Sequence, residues 1–229
     1  LNNTSLNEAV TATQQILDAL LQAVATGNGG TPAAQAGQAI SALTSNASAE
    51  IAALSNGDVQ FFSDLANCFE LARIAGATFV GMELPRTAAA GLTPVNAPAI
   101  AVQNFSVRMA LAEEGQILAA ATFTSRQQID NYFDQLNVSF EAAILTAADN
   151  FDNVAYQALI SLQGAISTDL ATRAMTLPTI VSYSFATRMP SLWLAQRLYQ
   201  DPTQVKQLVE LNMPIHPLFM PASGLALSD

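Results

Sequence analysis

Apolar residues recur every three or four positions through most of the first 172 residues. Leu6, Val10, Thr13, Leu17, Leu20 and Val24 show this spacing, which predicts a first helix with one buried face. The stretch "GNGGTP" at 27–32 ends it, since glycine releases a helix and Pro32 suits the opening turn of the next. Ala36, Ile40, Leu43, Ala47, Ile51 and Leu54 mark a second helix. "SNGD" at 55–58 reads as a turn, with Asp58 placed to cap the next element. Phe61, Leu65, Phe69 and Ala72 then predict a third helix running to about Met82.

Residues 83–99, "ELPRTAAAGLTPVNAPA", hold three prolines and a glycine and read as an irregular crossing. A fourth helix is expected over about 99–121, with Phe105, Met109, Ala112 and Gln116 on one face. Thr124 with Gln127 three residues later gives a capping-box pattern for a fifth, whose stripe is Ile129, Phe133, Leu136 and Phe140. A sixth carries Val154, Leu159, Leu162, Ile166 and Leu170 and stops at "TLP", 176–178. Small side chains at many helix positions suit either a compact bundle or extended hairpins. After Pro178 the period changes to two: "TIVSYSF" predicts a short strand. "SLWLAQRLY" returns to helical spacing, Asp201-Pro202 starts another helix faced by Val205, Leu208, Val209 and Leu211, and "GLALS" at 224–228 reads as a second strand. The reading is mainly α: a helical domain over 1–172, then a small β-α-α-β module over 173–229.

Composition narrows the function classes. Apolar residues make up 51% of the 229-residue chain and charged residues only 11%, well under the roughly 25% usual in globular domains. The net charge is −10. Residues 1–172 hold four arginines against fifteen acidic groups, or −11, and residues 173–229 hold four cations against three acids, or +1. Such an acidic body repels a phosphate backbone, so direct nucleic-acid binding by this segment is not expected. No run of about 18 apolar residues is present, and no membrane partner is expected. The lone Cys68 excludes an intrachain disulfide and reads as a small buried hydrophobe. The chain starts at Leu1 without a basic, then apolar leader, which argues against a retained signal peptide and for a piece of a longer protein.

The closing strand–helix–helix–strand order resembles a LysM-type fold through the Ser191–Leu192 helix start, Ala195, Tyr199, Leu208, Asn212, Ile215 and "MPASGLAL" at 220–227. A second resemblance covers roughly 123–229. "LAQRLYQD", "ELNMPIHPLFMP" and the "AYQAL…DL…RA…LP" helix are similar to the C-terminal half of the DNA-circularisation proteins of Mu-like contractile-tailed phages. That resemblance implies a virion protein of the tail baseplate: a structural adaptor beside the hub, tube and wedge proteins, following a β-rich N-terminal domain that this sequence lacks. Self-association into a closed ring, on the order of three or six copies, is the implied mode of action.

Candidate chemistry is sparse. His216 lies between Pro214 and Pro217 with no nucleophile or carboxylate cluster near it, and reads as a loop-stiffening residue. Asp149 with Asp152, and Glu113 with Glu114, read as caps and solvated charge. No phosphate loop or metal-ligand spacing is present, so no catalytic, cofactor-binding or metal residue is expected. The expected partner contacts are Trp193, Tyr199, Asn212, His216 and Phe219, as aromatic side chains often anchor interfaces. Two rival functions remain: an accessory role in phage DNA circularisation or protection, and peptidoglycan binding by a LysM module on a helical stalk. The latter is weakened because the turn before the first module helix is "TRMPS", not the Gly-Asp-Thr-like turn of glycan-binding modules.

Overall fold

A computed structural model describes residues 2–228. It is mainly helical, with a small two-stranded antiparallel sheet near the C-terminus. The helices are α1 (Asn3–Ala25), α2 (Gly30–Ala53), α3 (Gln60–Ile74), α4 (Phe79–Ala90), α5 (Ala97–Ala120), α6 (Arg126–Asp149) and α7 (Asn153–Ala174). Then come β1 (Ile180–Ser184), α8 (Ser191–Tyr199), α9 (Val205–Asn212) and β2 (Ser223–Leu227). By internal contact the chain divides into two compact units, Leu1–Ala121 with Leu136–Ile166, and Thr122–Gln135 with Ser167–Asp229. The expected domains broke at 172/173. The observed division also places the first turns of α6 with the C-terminal unit.

In the first unit α1 to α5 pack around one apolar core. The predicted stripes of α1, α2 and α3 enter it through Leu17, Leu20, Ile40, Leu43, Ile51, Phe61, Leu65 and Phe69. Cys68 is buried among them, and burial pushes its thiol up to about 12, which leaves it inert.

The stretch from Gly76 to Ala99 departs from expectation. The third helix stops at Ile74, not near Met82, because Gly76 takes a left-handed conformation (φ +86°). Thr78 then caps a separate helix, its Oγ1 accepting the Gly81 N–H at 3.0 Å. This is α4, lying where an irregular crossing was expected. It continues through Pro85, although proline removes a helical N–H and crowds the preceding turn. Burial of Phe79, Met82, Pro85, Arg86 and Ala89 on one face outweighs that local cost. The irregular connection shrinks to 91–96. Glu8 of α1 fastens it, its carboxylate accepting the Val95 and Asn96 backbone N–H groups, each at 2.9 Å, and an Asn96 side-chain N–H.

Further local readings are corrected. The buried face of α5 is Ala99, Val102, Ser106, Ala110, Glu113, Glu114 and Leu118. Phe105, Met109 and Ala112 are only partly covered and Gln116 is exposed. The capping contact before α6 joins Thr124 to Gln128, whose Oε1 accepts the Thr124 N–H at 3.0 Å. Gln127 instead accepts the Ile180 N–H at 2.8 Å and holds the start of β1. In α7 only Leu159, Leu170 and Ala174 are fully buried, and Val154 is exposed.

The second unit closes on Tyr183, Leu194, Ala195, Leu208, Met220 and Ala226. β1 and β2 pair in the register Ile180–Leu227 through Ser184–Ser223, and the two helices lie between them in sequence. Arg126 donates its backbone N–H to Pro178 O at 3.0 Å, and the Arg173 guanidinium lies 4.6 Å from the centre of the Phe123 ring.

Glycine lets the turn after α1 approach the turn after α3. A Cβ at Gly27 would stand 2.4 Å from the Ala75 carbonyl oxygen, which is backbone and has no side-chain freedom to yield. The Gly27→Ala variant is expected to lose about 1–3 kcal/mol of stability by overpacking, read as a lower urea midpoint with unchanged slope.

Candidate functional site

The acidic pair expected on a solvated face lies inside the first unit. Glu113 is 3% exposed and Glu114 is wholly buried. Each meets an arginine from another helix: Arg73 of α3 donates its Nε to Glu113, and Arg86 of α4 donates its Nε to both Glu114 oxygens at 2.8 and 3.0 Å. Arg86 also donates Nη2 to Glu83 at 3.0 Å and Nη1 to Ser139 Oγ at 2.6 Å. One guanidinium thus joins α4, α5 and α6. Sequence reasoning missed the pairs because the arginines lie 40 and 28 residues from their partners. A signal was present, in that Glu113 and Glu114 continue the spacing of Val102, Ser106 and Ala110.

Burial pushes Glu114 up to about 7 despite the adjacent Arg86, and raises Glu113 against the pull of Arg73. Among the described residues no group of three or more His, Cys, Asp and Glu side chains is placed to hold a metal ion. The arrangement ties helices together. Beside it, between α4, α5 and α6, lies a cavity of 330 Å³ whose wall includes both Arg86 and Arg108. Arg108 pairs with Asp152 at 2.8 Å, and Asp152 caps α7 by accepting the Ala155 N–H at 3.0 Å, the capping role expected of it.

The five expected partner contacts lie in the second unit and separate by chemistry. Tyr199 and Asn212 use their polar groups internally. The Tyr199 hydroxyl accepts the Leu227 N–H at 3.0 Å. Asn212 accepts the Leu225 N–H at 2.8 Å and donates to Leu225 O at 2.7 Å, so its carboxamide pairs with β2 as a strand residue would. Gly224 permits this approach, as a Cβ there would fall 2.1 Å from Asn212 Oδ1. His216 stiffens its loop: Nδ1 accepts the Leu218 N–H at 3.1 Å and its ring neighbours that of Phe219.

Trp193 and Phe219 present apolar surface. Trp193 is 45% exposed, with its ring edge-on to Phe185. Phe219 is 65% exposed and belongs to the "NMPIHPLF" run, whose exposure sequence reading did not foresee: Met213 is 85% exposed, Ile215 stands fully clear and Leu218 is exposed. Met213 holds a left-handed backbone (φ +39°), unusual for a side chain other than glycine or asparagine, and ends α9 there. From Leu211 to Ser228 the sequence has no Asp, Glu, Lys or Arg. A groove of 430 Å³ runs beside the crest, lined in part by Arg188, Met213, Ile215 and Phe219. Sequence periodicity could not flag these residues because they lie in a proline-broken loop with no repeat.

No protein-family model matches the sequence, and no curated protein is similar to it. Among the described residues no helix is long and apolar enough to cross a membrane.

Two predictions separate internal from outward roles. Between the ordinary glutamate value of 4.5 and about 7, the folded chain keeps a proton on Glu114 that the unfolded chain has released. Stability therefore falls as pH rises through that window. Glu113 acts in the same direction. Glu8, Asp152 and Asp201, held low chiefly by hydrogen bonds, act oppositely and only below the ordinary carboxylate range. Urea unfolding at about pH 8 should show about 1–3 kcal/mol less stability than at about pH 5, and Glu114→Gln should flatten the difference. In the module, Asn212→Ala should cost about 0.5–1.5 kcal/mol by losing its hydrogen bonds to Leu225, whereas Ile215→Ser should stay within about 0.5 kcal/mol.

Proposed function

We propose that this chain is a structural adaptor of a contractile phage or tailocin tail baseplate, acting by self-association and docking. The observation that carries the reading is the solvent-facing apolar run Met213–Phe219, free of acidic and basic side chains other than His216, on a module whose sequence resembles the closing part of the Mu-like circularisation proteins. Exposed apolar patches of this kind mark interaction surfaces, and interface centres favour Met and aromatic residues over charge. The strand–helix–helix–strand order supports the LysM-like description of the module. In this reading the internal contacts of Tyr199 and Asn212 make the module rigid, and Trp193, Phe219 and their exposed neighbours meet the partner. The partners are further copies of the chain and adjoining hub, tube or wedge proteins, in the virion tail. The acidic body disfavours a direct DNA role.

Half-exposed Trp193 supports a second reading, peptidoglycan binding by the same module. One experiment addresses both. Tail particles purified from cells carrying the gene should contain the chain in fixed proportion to baseplate proteins. A double Ile215→Asp, Phe219→Asp variant should fold, by circular dichroism and melting, and be lost from those particles. Absence of the wild-type chain from particles, or full incorporation of the variant, would overturn the docking assignment. Retention on insoluble peptidoglycan that Trp193→Ala abolishes would replace it with the glycan reading.

A further inference from the structure

The cavity between α4, α5 and α6 has a composition at odds with the unit around it. The first unit holds three arginines and twelve carboxylates. Two of the three arginines reach this one wall, and none of the carboxylates does. The rest of the lining combines Gln103, Asn104, Ser139 and Thr146 with the apolar surfaces of alanines and of Val107 and Val138. Ala90, Val138, Ala142 and Thr146 on this lining are exposed, so the cavity is a cleft open to solvent. Here Ala90, Ala142 and Ala143, where larger side chains would fill the space, keep 330 Å³ open, within the lower part of the range of about 300–1,000 Å³ used for small molecules.

The polar groups on the wall are unequally committed. Arg86 is buried and held by Glu114, Glu83 and Ser139, so its position is set before any ligand arrives. Gln103 donates its amide to Ala89 O and Leu92 O. Among the described residues Arg108 engages a partner through Nη1 alone, toward Asp152, and the Asn104 carboxamide makes no hydrogen bond. Uncommitted N–H donors beside apolar walls fit an anionic head on an aliphatic stem.

We propose that this cavity binds a small amphipathic carboxylate, its head accepting from Arg108 and Asn104 in competition with Asp152 and its stem lying along Val107, Val138 and Ala142. This site is independent of the docking crest and of the tail assignment.

The test is titration calorimetry of the full chain with octanoate, with octylamine and octanol as cationic and neutral controls. Octanoate should bind and octylamine should not. Arg108→Gln should weaken octanoate about tenfold or more, as loss of a charge-assisted contact does. Ala142→Leu, a change at an exposed helix position, should block the stem while leaving the melting curve intact. Asp152→Asn keeps an acceptor for the Ala155 N–H but frees Arg108 of its carboxylate, and should tighten octanoate several-fold. A merely greasy surface would not show that gain. No octanoate binding by the wild-type chain, equal binding of the amine, or affinity unchanged in all three variants would overturn the site.

Discussion

The Arg86 guanidinium ties α4, α5 and α6 together within the first unit. A buried cation must be compensated, and burying each ion of a pair costs several kcal/mol that only close, multiple hydrogen bonds return. Arg86 finds Glu114 on α5, Glu83 on its own helix and the Ser139 hydroxyl on α6. The two oxygens of Glu114 share the Nε of one guanidinium, so a slip of α4 along α5 by a single turn would strand the Arg86 charge and the Glu114 carboxyl without each other. Deleting one partner of such a pair costs about 3–5 kcal/mol, whereas an apolar replacement of the whole group often costs nothing. Such a network suits a role in fixing register better than one in adding stability. Pro85 lies on the same buried face of α4 as Arg86.

The same pair shows where the sequence was readable and where it was not. Apolar stripes of α1 to α3 were legible because helix period and burial coincide there, from Leu17 and Leu20 in α1 to Leu65 and Phe69 in α3. In α5 they coincide only in part, since the face turned inward mixes Val102, Leu111 and Leu118 with Ala, Ser, Gly and two glutamates while Phe105 and Met109 sit at its margin. Hydrophobicity alone then places the face off-centre and misses the two glutamates. A helix that buries charge can be read only together with the helix carrying its counterion, and the sequence separates those by many turns. Proline misled for a similar reason: Pro85 reads as a break locally and is overruled by contacts made elsewhere.

The C-terminal module was more legible because its signals are local. The strand period, the Asp201-Pro202 start and the Asn212 helix end all act within a few residues. Of the five expected contact residues, however, Tyr199 and Asn212 turn inward and bond the strand, a distinction that residue type does not carry. Both side chains can serve the fold or a partner, and the choice depends on whether β2 offers a free amide. It does at Leu225 and Leu227. With polar side chains consumed in this way, the loop from Met213 to Phe219 is left to face solvent with carbon.

Charge then limits which surfaces of the chain can meet a second copy. The first unit carries three cations against twelve acids and the second five against six, so −9 and −1 of the total lie in them. Two acidic bodies repel at close range, and burying unpaired carboxylates between them would cost more than apolar contact returns. A loop without charge escapes that penalty, and its exposed Met, Ile, Leu and Phe gain from leaving water. In the docking role proposed above, the acidic helices would discourage unproductive contacts and the nearly neutral module would provide the permitted one. Specificity arises as much from the surfaces that exclude a partner as from the one that accepts it.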